Sequence, residues 1–288
     1  VSDTSLPARA PLIIDTDIGG EPDDAMALAV AARRLPDLAL VTTCDETDGE
    51  RARFARHFLD LLGRPDVAVA SGPRLGEDPY FWAKGIAPAD VAPQPNDPVA
   101  AVRAVCARVR GPVRWLGLGP LTNLAAVLAR APGTAPRLQV TQMGGALSYR
   151  DATLAQYNFR LDPGAARAVV AGCATLRLVT YDVTFSQQLV LTPDSSILRS
   201  LAGMRHPWAK ALTEHCAQYF AGYYPSTIPH TPLSLSAAMG EPFIRFASRR
   251  IALDEAARMR LSDEGDLVRL SVSANYPDFL GWLENCLA

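Results

Sequence analysis

Apolar residues along the chain fall into short runs separated by longer stretches of helical period. The runs at residues 11–15, 38–43, 67–71, 113–118, 138–143 and 176–181 are rich in aliphatic residues and bounded by turn formers, which predicts buried strands. Residues 23–34, 51–62, 99–109, 121–131 and 164–171 repeat their apolar positions every three or four residues and predict helices. Strand and helix in alternation imply an α/β fold, with an open, mainly parallel sheet covered by helices on both faces. Further along, residues 250–254 and 267–273 flank a polar turn at 262–265, which predicts a C-terminal antiparallel hairpin. No repeat, linker or low-complexity block interrupts the 288 residues, so 1–288 is expected to be a single domain, with the Pro-rich segment 87–98 as a long surface loop.

Composition narrows the functional classes. A formal net charge of −2, with basic residues scattered along the chain, offers no attraction for nucleic acid or an acidic membrane surface. No apolar stretch reaches the roughly 18 residues a membrane span needs, and the opening VSDTSLPARA lacks the pattern of a signal peptide, so a cytoplasmic chain is expected. The five cysteines, Cys44, Cys106, Cys173, Cys216 and Cys286, are dispersed and form no C-x-x-C pair, which predicts reduced, structural thiols.

The densest chemistry lies in IDTDIGGEPDDAMAL, residues 14–28, where four aspartates and a glutamate fall within ten residues between a strand and a helix. Open parallel sheets bind ligands beyond the carboxyl ends of their strands, and this is the first such loop. Crowded carboxylates repel one another unless a cation sits among them or some stay protonated. Asp23 or Asp24 alone could serve merely to favour the positive end of the helix that follows. Four on a Gly-rich turn argue for a site, and clustered Asp oxygens suit a hard cation such as calcium.

These residues also carry a family resemblance. DTDIGGEPDDAMAL (15–28) resembles the N-terminal signature of the inosine-uridine-type nucleoside hydrolases. GPLTNLA (119–125), MGGA (143–146), Tyr157-Asn158 with Asp162-Pro163, and His230-Thr231-Pro232-Leu233 resemble further motifs of that family, in the same order. The chain is thereby identified as a divergent member. The resemblance implies a Rossmann-like core and hydrolysis of the N-glycosidic bond of a small-molecule nucleoside, in a homodimer or homotetramer. It also implies a calcium ion that carries the attacking water. Asp17 matches the calcium ligand that is also the general base, Asp24 a second ligand, and Leu118 a ligand through its backbone carbonyl. Asp23 and Asn158 match residues that grip the sugar, and His230 the residue that assists departure of the base.

Four departures modify that implication. The first loop is two residues longer than the commonest family form. Cys44-Asp45-Glu46-Thr47 stands where the family has a Gly-Asn pair, so Asp45 or Glu46 is expected to take over that Asn's place. Thr231 replaces the family's Asp ligand with one neutral hydroxyl, which should weaken calcium binding. Gln156 and Arg150 replace a Glu and an Asn at the 5′ end of the ribose. Three such changes make the pocket less acidic by about three charges. Either the 5′ end of the substrate is anionic or modified, matched by the Arg150 fork, or Arg150 simply faces solvent. Either hydrolysis persists, or the chain is a diverged relative that binds nucleosides or sugars or runs different sugar chemistry. Phe81-Trp82 and the aromatic run at 219–224, Tyr223 above all, are candidates to stack on the base.

Overall fold

The computed structural model describes residues 10–76 and 80–288. Nine strands build one sheet: β1 (Leu12–Thr16), β2 (Leu38–Thr43), β3 (Ala68–Ala70), β4 (Val113–Gly117), β5 (Leu138–Met143), β6 (Arg177–Val179), β7 (Ile244–Leu253), β8 (Met259–Leu261) and β9 (Asp266–Ala274). Their order is β3-β2-β1-β4-β5-β6-β9-β7-β8. The first seven in that order are parallel to their neighbours, and β7 pairs antiparallel with both β9 and β8. This is the expected α/β architecture with a C-terminal antiparallel element.

Every residue of β1 and β4 is buried, because helices cover both faces of the sheet. Alternate side chains feed opposite cores. Leu12, Ile14, Val41 and Leu116 pack with the helix Asp23–Arg34, while Ile13, Leu40 and Trp115 pack with the helices Pro98–Arg108 and Thr122–Arg130. The chain leaving β1 therefore turns to one face and the chain leaving neighbouring β4 turns to the other. Such a reversal opens a crevice at the carboxyl ends of the two strands, and residues 17–22 and 118–121 form its lips.

The helix Asp23–Arg34 is buried over its first ten residues and runs beneath that crevice. Asp23 and Asp24 stand in its first turn and Arg33 and Arg34 in its last, each charge favoured by the dipole end it occupies. Arg33 Nη1 donates to the Cys286 carbonyl at 2.7 Å and Nη2 to that of Ala288 at 2.8 Å, satisfying open carbonyls at the end of the helix Tyr276–Leu287.

Two details depart from the sequence pattern. The expected strand at 176–181 stops at Val179, because the chain turns into the short helix Tyr181–Thr184. The polar turn at 262–265 joins β8 to β9, while β7 starts earlier than expected and pairs with β9 from Ile244↔Ala274 to Ile251↔Asp266. Three residues of β8 are too few to show a period. Helices at Ser196–Gly203, Pro207–Gly222 and His230–Met239 were likewise not foreseen, the last being buried from Thr231 to Ala238 and so lacking a polar face to mark its turns.

Trp115 is fully buried between the sheet and its helices. Trp115→Ala should destabilise the fold by about 3–5 kcal/mol, read as a lowered urea midpoint with an unchanged slope.

Candidate active site

The crevice widens into a cavity of about 540 Å³. Asp17, Asp23, Asp24, Leu118, Asn158 and Thr231 line it. So do Glu21, Tyr80, Tyr219 and Tyr223, together with Tyr149, Arg150, Gln156, Arg160, Tyr181 and His230. The cavity thus gathers residues from seven separate stretches of the chain, from Asp17 to Thr231. Glu46 is not among its lining residues: its carboxylate accepts from the Thr43 hydroxyl and from the amides of Arg51 at 3.3 Å and Ala52 at 3.0 Å, at the start of the helix Glu50–Leu61.

Burial dominates the electrostatics. Asp17 is 8% exposed and Asp24 5%, and burial raises the pKa of both. Their mutual repulsion adds to the rise in Asp24, while the Arg51 guanidinium pulls Asp17 down. Asp23 is raised by burial, then by Glu21, although the Thr231 amide donates to its Oδ2 at 3.0 Å. Behind them Asp15 accepts from Thr42 at 2.6 Å and Asn123 at 2.8 Å, and burial still pushes it up to about 7. Carboxylates with raised pKa values are stronger bases than free Asp.

The positive counterweight is Arg51, which has no solvent exposure. Nη1 donates to the Asp17 and Ile18 carbonyls, Nε to the Asp45 carbonyl at 2.7 Å, and Nη2 to the Tyr80 carbonyl at 2.9 Å and the Asp45 carboxylate at 3.5 Å. One side chain therefore ties the acidic loop to two other loops. Gly19, at φ +95, lies so close to Phe81 that an added Cβ would come within 2.2 Å of its ring. Gly119 is pressed against Asp17 in the same way: an added Cβ would stand 2.7 Å from Oδ1. His215 closes the underside, its Nε2 at 3.0 Å from the Gly20 carbonyl, and burial drives its pKa down to about 4.

His230 Nδ1 lies 2.7 Å from the Thr184 hydroxyl, and its ring is nearly parallel to those of Tyr181 and Phe185. Burial, helped by the charge of Arg150, lowers its pKa to about 3. At neutral pH this imidazole offers a hydrogen bond rather than a full proton. Gln156 Oε1 accepts from the amides of Gly145 and Asn158 at 3.3 and 3.1 Å, ahead of the helix Tyr157–Leu161. Phe81 is core beneath the acidic loop and Trp82 is not among the lining residues, whereas Tyr223 lines the cavity and is 56% exposed.

The calcium expectation is not met. Among the described residues no three His, Cys, Asp or Glu side chains are grouped so as to hold a metal ion. Both Asp23 oxygens accept backbone amides, those of Asp24 at 3.1 Å and Thr231 at 3.0 Å. The Leu118 carbonyl already accepts from Asn158 Nδ2 at 2.6 Å, and Thr231 contributes only a neutral hydroxyl. The expected ligand set of Asp17, Asp24, Leu118 and Thr231 thus offers two carboxylates, one carbonyl already engaged by Asn158 and one neutral hydroxyl.

Sequence reasoning gave no role to Arg51, Glu21 or Arg160. Arg51 had a signal: with Phe54, Ala55, Phe58 and Leu59 it falls on the apolar face of its helix, where a charge must find buried partners. Glu21 lies in the lengthened loop, and its Oε1 accepts from the Thr227 hydroxyl at 2.6 Å and the Ile228 amide at 2.9 Å.

An α/β sheet with an acidic crevice at its switch point is an architecture that binds small-molecule ligands. Residues 12–270 match the model of the inosine-uridine preferring nucleoside hydrolase family, and the chain belongs to that family. It is 32% identical to the pyrimidine-specific ribonucleoside hydrolase RihA of Shewanella sp. (strain ANA-3) over 220 residues, 71% of this chain and 68% of the relative. The non-specific ribonucleoside hydrolase RihC of Escherichia fergusonii is 30% identical over 65% of each chain. Among solved structures, the plant nucleoside hydrolase PpNRh1 superposes with a TM-score of 0.82 at 21% identity, covering 97% of this chain and 99% of its own. The type III effector XopQ, solved with adenosine diphosphate ribose, superposes at 0.74 with 19% identity over 97% and 94%. Among the described residues no helix is long and apolar enough to cross a membrane.

Two outcomes test the electrostatic frame. Arg51→Met leaves Asp45 and several carbonyls buried without their donor, and should destabilise by about 3–5 kcal/mol in chemical denaturation. For His215, the folded pKa of about 4 lies below the ordinary 6.5, so below pH 6.5 the unfolded chain binds the extra proton. The stability of the unaltered protein relative to His215→Gln should therefore fall by up to about 3 kcal/mol between pH 7 and 4.

Proposed function

We propose that this protein hydrolyses the N-glycosidic bond of a ribonucleoside, or of one modified at its 5′ position, giving free base and sugar. The observation that carries this reading is the joint presence of Asp17, Asp23, Asp24 and Asn158 in one cavity at the switch point of a chain of this family. Asp17 acts as the general base that takes a proton from the attacking water, and its burial-raised pKa suits it to that task. Asp23 and Asn158 hold the ribose hydroxyls. As the bond to the base lengthens, positive charge grows on the sugar ring, and the surrounding carboxylates stabilise it. His230, neutral and held by Thr184, hydrogen-bonds the departing base. Tyr223 and its neighbours provide ring faces for that base. The relatives' names support a ribonucleoside substrate. The effector's bound adenosine diphosphate ribose supports room for a 5′ extension.

Release of reducing sugar from a panel of ribonucleosides tests the reading. Asp17→Asn should lower kcat about 10²- to 10⁴-fold with little change in KM. Retained nucleoside binding with no sugar released from any member of the panel would instead favour a diverged, binding relative.

A further inference from the structure

The cavity holds charges of both signs. Four carboxylates, those of Asp17, Glu21, Asp23 and Asp24, line it, and so do two guanidiniums, those of Arg150 and Arg160. Both converge on Tyr149: Arg160 Nη1 donates to its hydroxyl at 3.2 Å, and the Arg150 guanidinium lies 5.7 Å from its ring centre. Arg160 is further held 4.9 Å above the Tyr157 ring and by the Ala155 carbonyl. Among the described residues neither arginine makes an ion pair, although eight others in the chain do. Arg150 is solvent-exposed and also lines the cavity.

Two unpaired guanidiniums in one pocket favour an anion, and the forked donors of Arg suit phosphate oxygens. An anion beside the aspartates would be repelled, so it must sit against the arginines while neutral hydroxyls meet the carboxylates. A cavity of about 540 Å³ falls within the size range of small-molecule sites and accommodates both parts. We propose that Arg150 and Arg160, braced by Tyr149, form an anion subsite that makes this cavity a reader of ribonucleosides carrying a 5′-phosphate. This rests on the ribonucleoside reading above, and it adds a class of substrate and two recognition residues to it. A carboxylate on the base is the rival source of negative charge.

Equilibrium binding of uridine, uridine 5′-monophosphate and orotidine, measured by calorimetry on Asp17→Asn to suppress turnover, tests the subsite. The monophosphate should bind about tenfold or more tighter than uridine, and Arg150→Gln and Arg160→Gln should each weaken it about tenfold while affecting uridine much less. Inorganic phosphate should compete with the monophosphate on the unaltered chain, a readout that needs no variant. Equal binding of uridine and its monophosphate, or a preference that survives both substitutions, overturns the proposal. Arginine dependence confined to orotidine also overturns it, placing the anion on the base. Uridine cleavage without any phosphate preference removes the subsite and leaves hydrolysis standing. An arginine-dependent preference with no cleavage of either compound keeps the subsite and removes hydrolysis.

Discussion

A guanidinium shut away from water beneath a loop of carboxylates is the constraint on which the rest of this protein depends. Arg51 lies at zero exposure and donates to carbonyls of the acidic loop, of the loop after β2, and of Tyr80. A buried charge is tolerated only when such bonds surround it, and each of those bonds in turn holds a loop in place. The arrangement lets Asp17 remain buried and still be drawn toward its ionised form. The same charge that permits the crevice also opposes the rise that burial imposes on Asp17.

Water exclusion then sorts the titratable groups by role. Burial pushes the carboxylates up, Asp15 to about 7, while it pushes His230 and His215 down, so that they stay uncharged at neutral pH. Buried carboxylates of raised basicity suit chemistry that develops positive charge on a sugar ring. The aromatic residues contribute geometry. Tyr181 and Phe185 align the His230 ring, and Tyr80 packs edge-on to Tyr223 at 5.1 Å between ring centres.

The carboxylates are numerous but not pooled. Asp23 is engaged by backbone amides, Asp15 by Thr42 and Asn123, and Glu21 by Thr227 and Ile228, so proximity in sequence does not become a shared coordination shell. The Leu118 carbonyl is drawn to Asn158 by a 2.6 Å hydrogen bond. Replacement of one ligand by Thr231 thus goes with a crevice organised by hydrogen bonds and by Arg51.

The sequence by itself determined the parallel core and the position of the acidic loop, because both are written in local order. The continuous apolar run of β1, the period of the helix Asp23–Arg34 and the aspartates at their join need only neighbours along the chain. It also marked Arg51 as out of place on an apolar helix face, without naming its partners. Those partners lie six to thirty-four residues away, in loops that only the strand order brings together. The same holds for Arg160 against Tyr149, for Glu21 against Thr227, and for Asn158 against Leu118, forty residues apart. Counting carboxylates in the sequence suggested a metal, whereas among the described residues no three metal-ligating side chains are grouped to hold one, and Asp15, Asp23 and Glu21 direct oxygens at hydrogen-bond donors. Direction is a property of packing: a hydrogen bond made across two loops depends on tertiary distance, and no local pattern of apolar and polar residues encodes it.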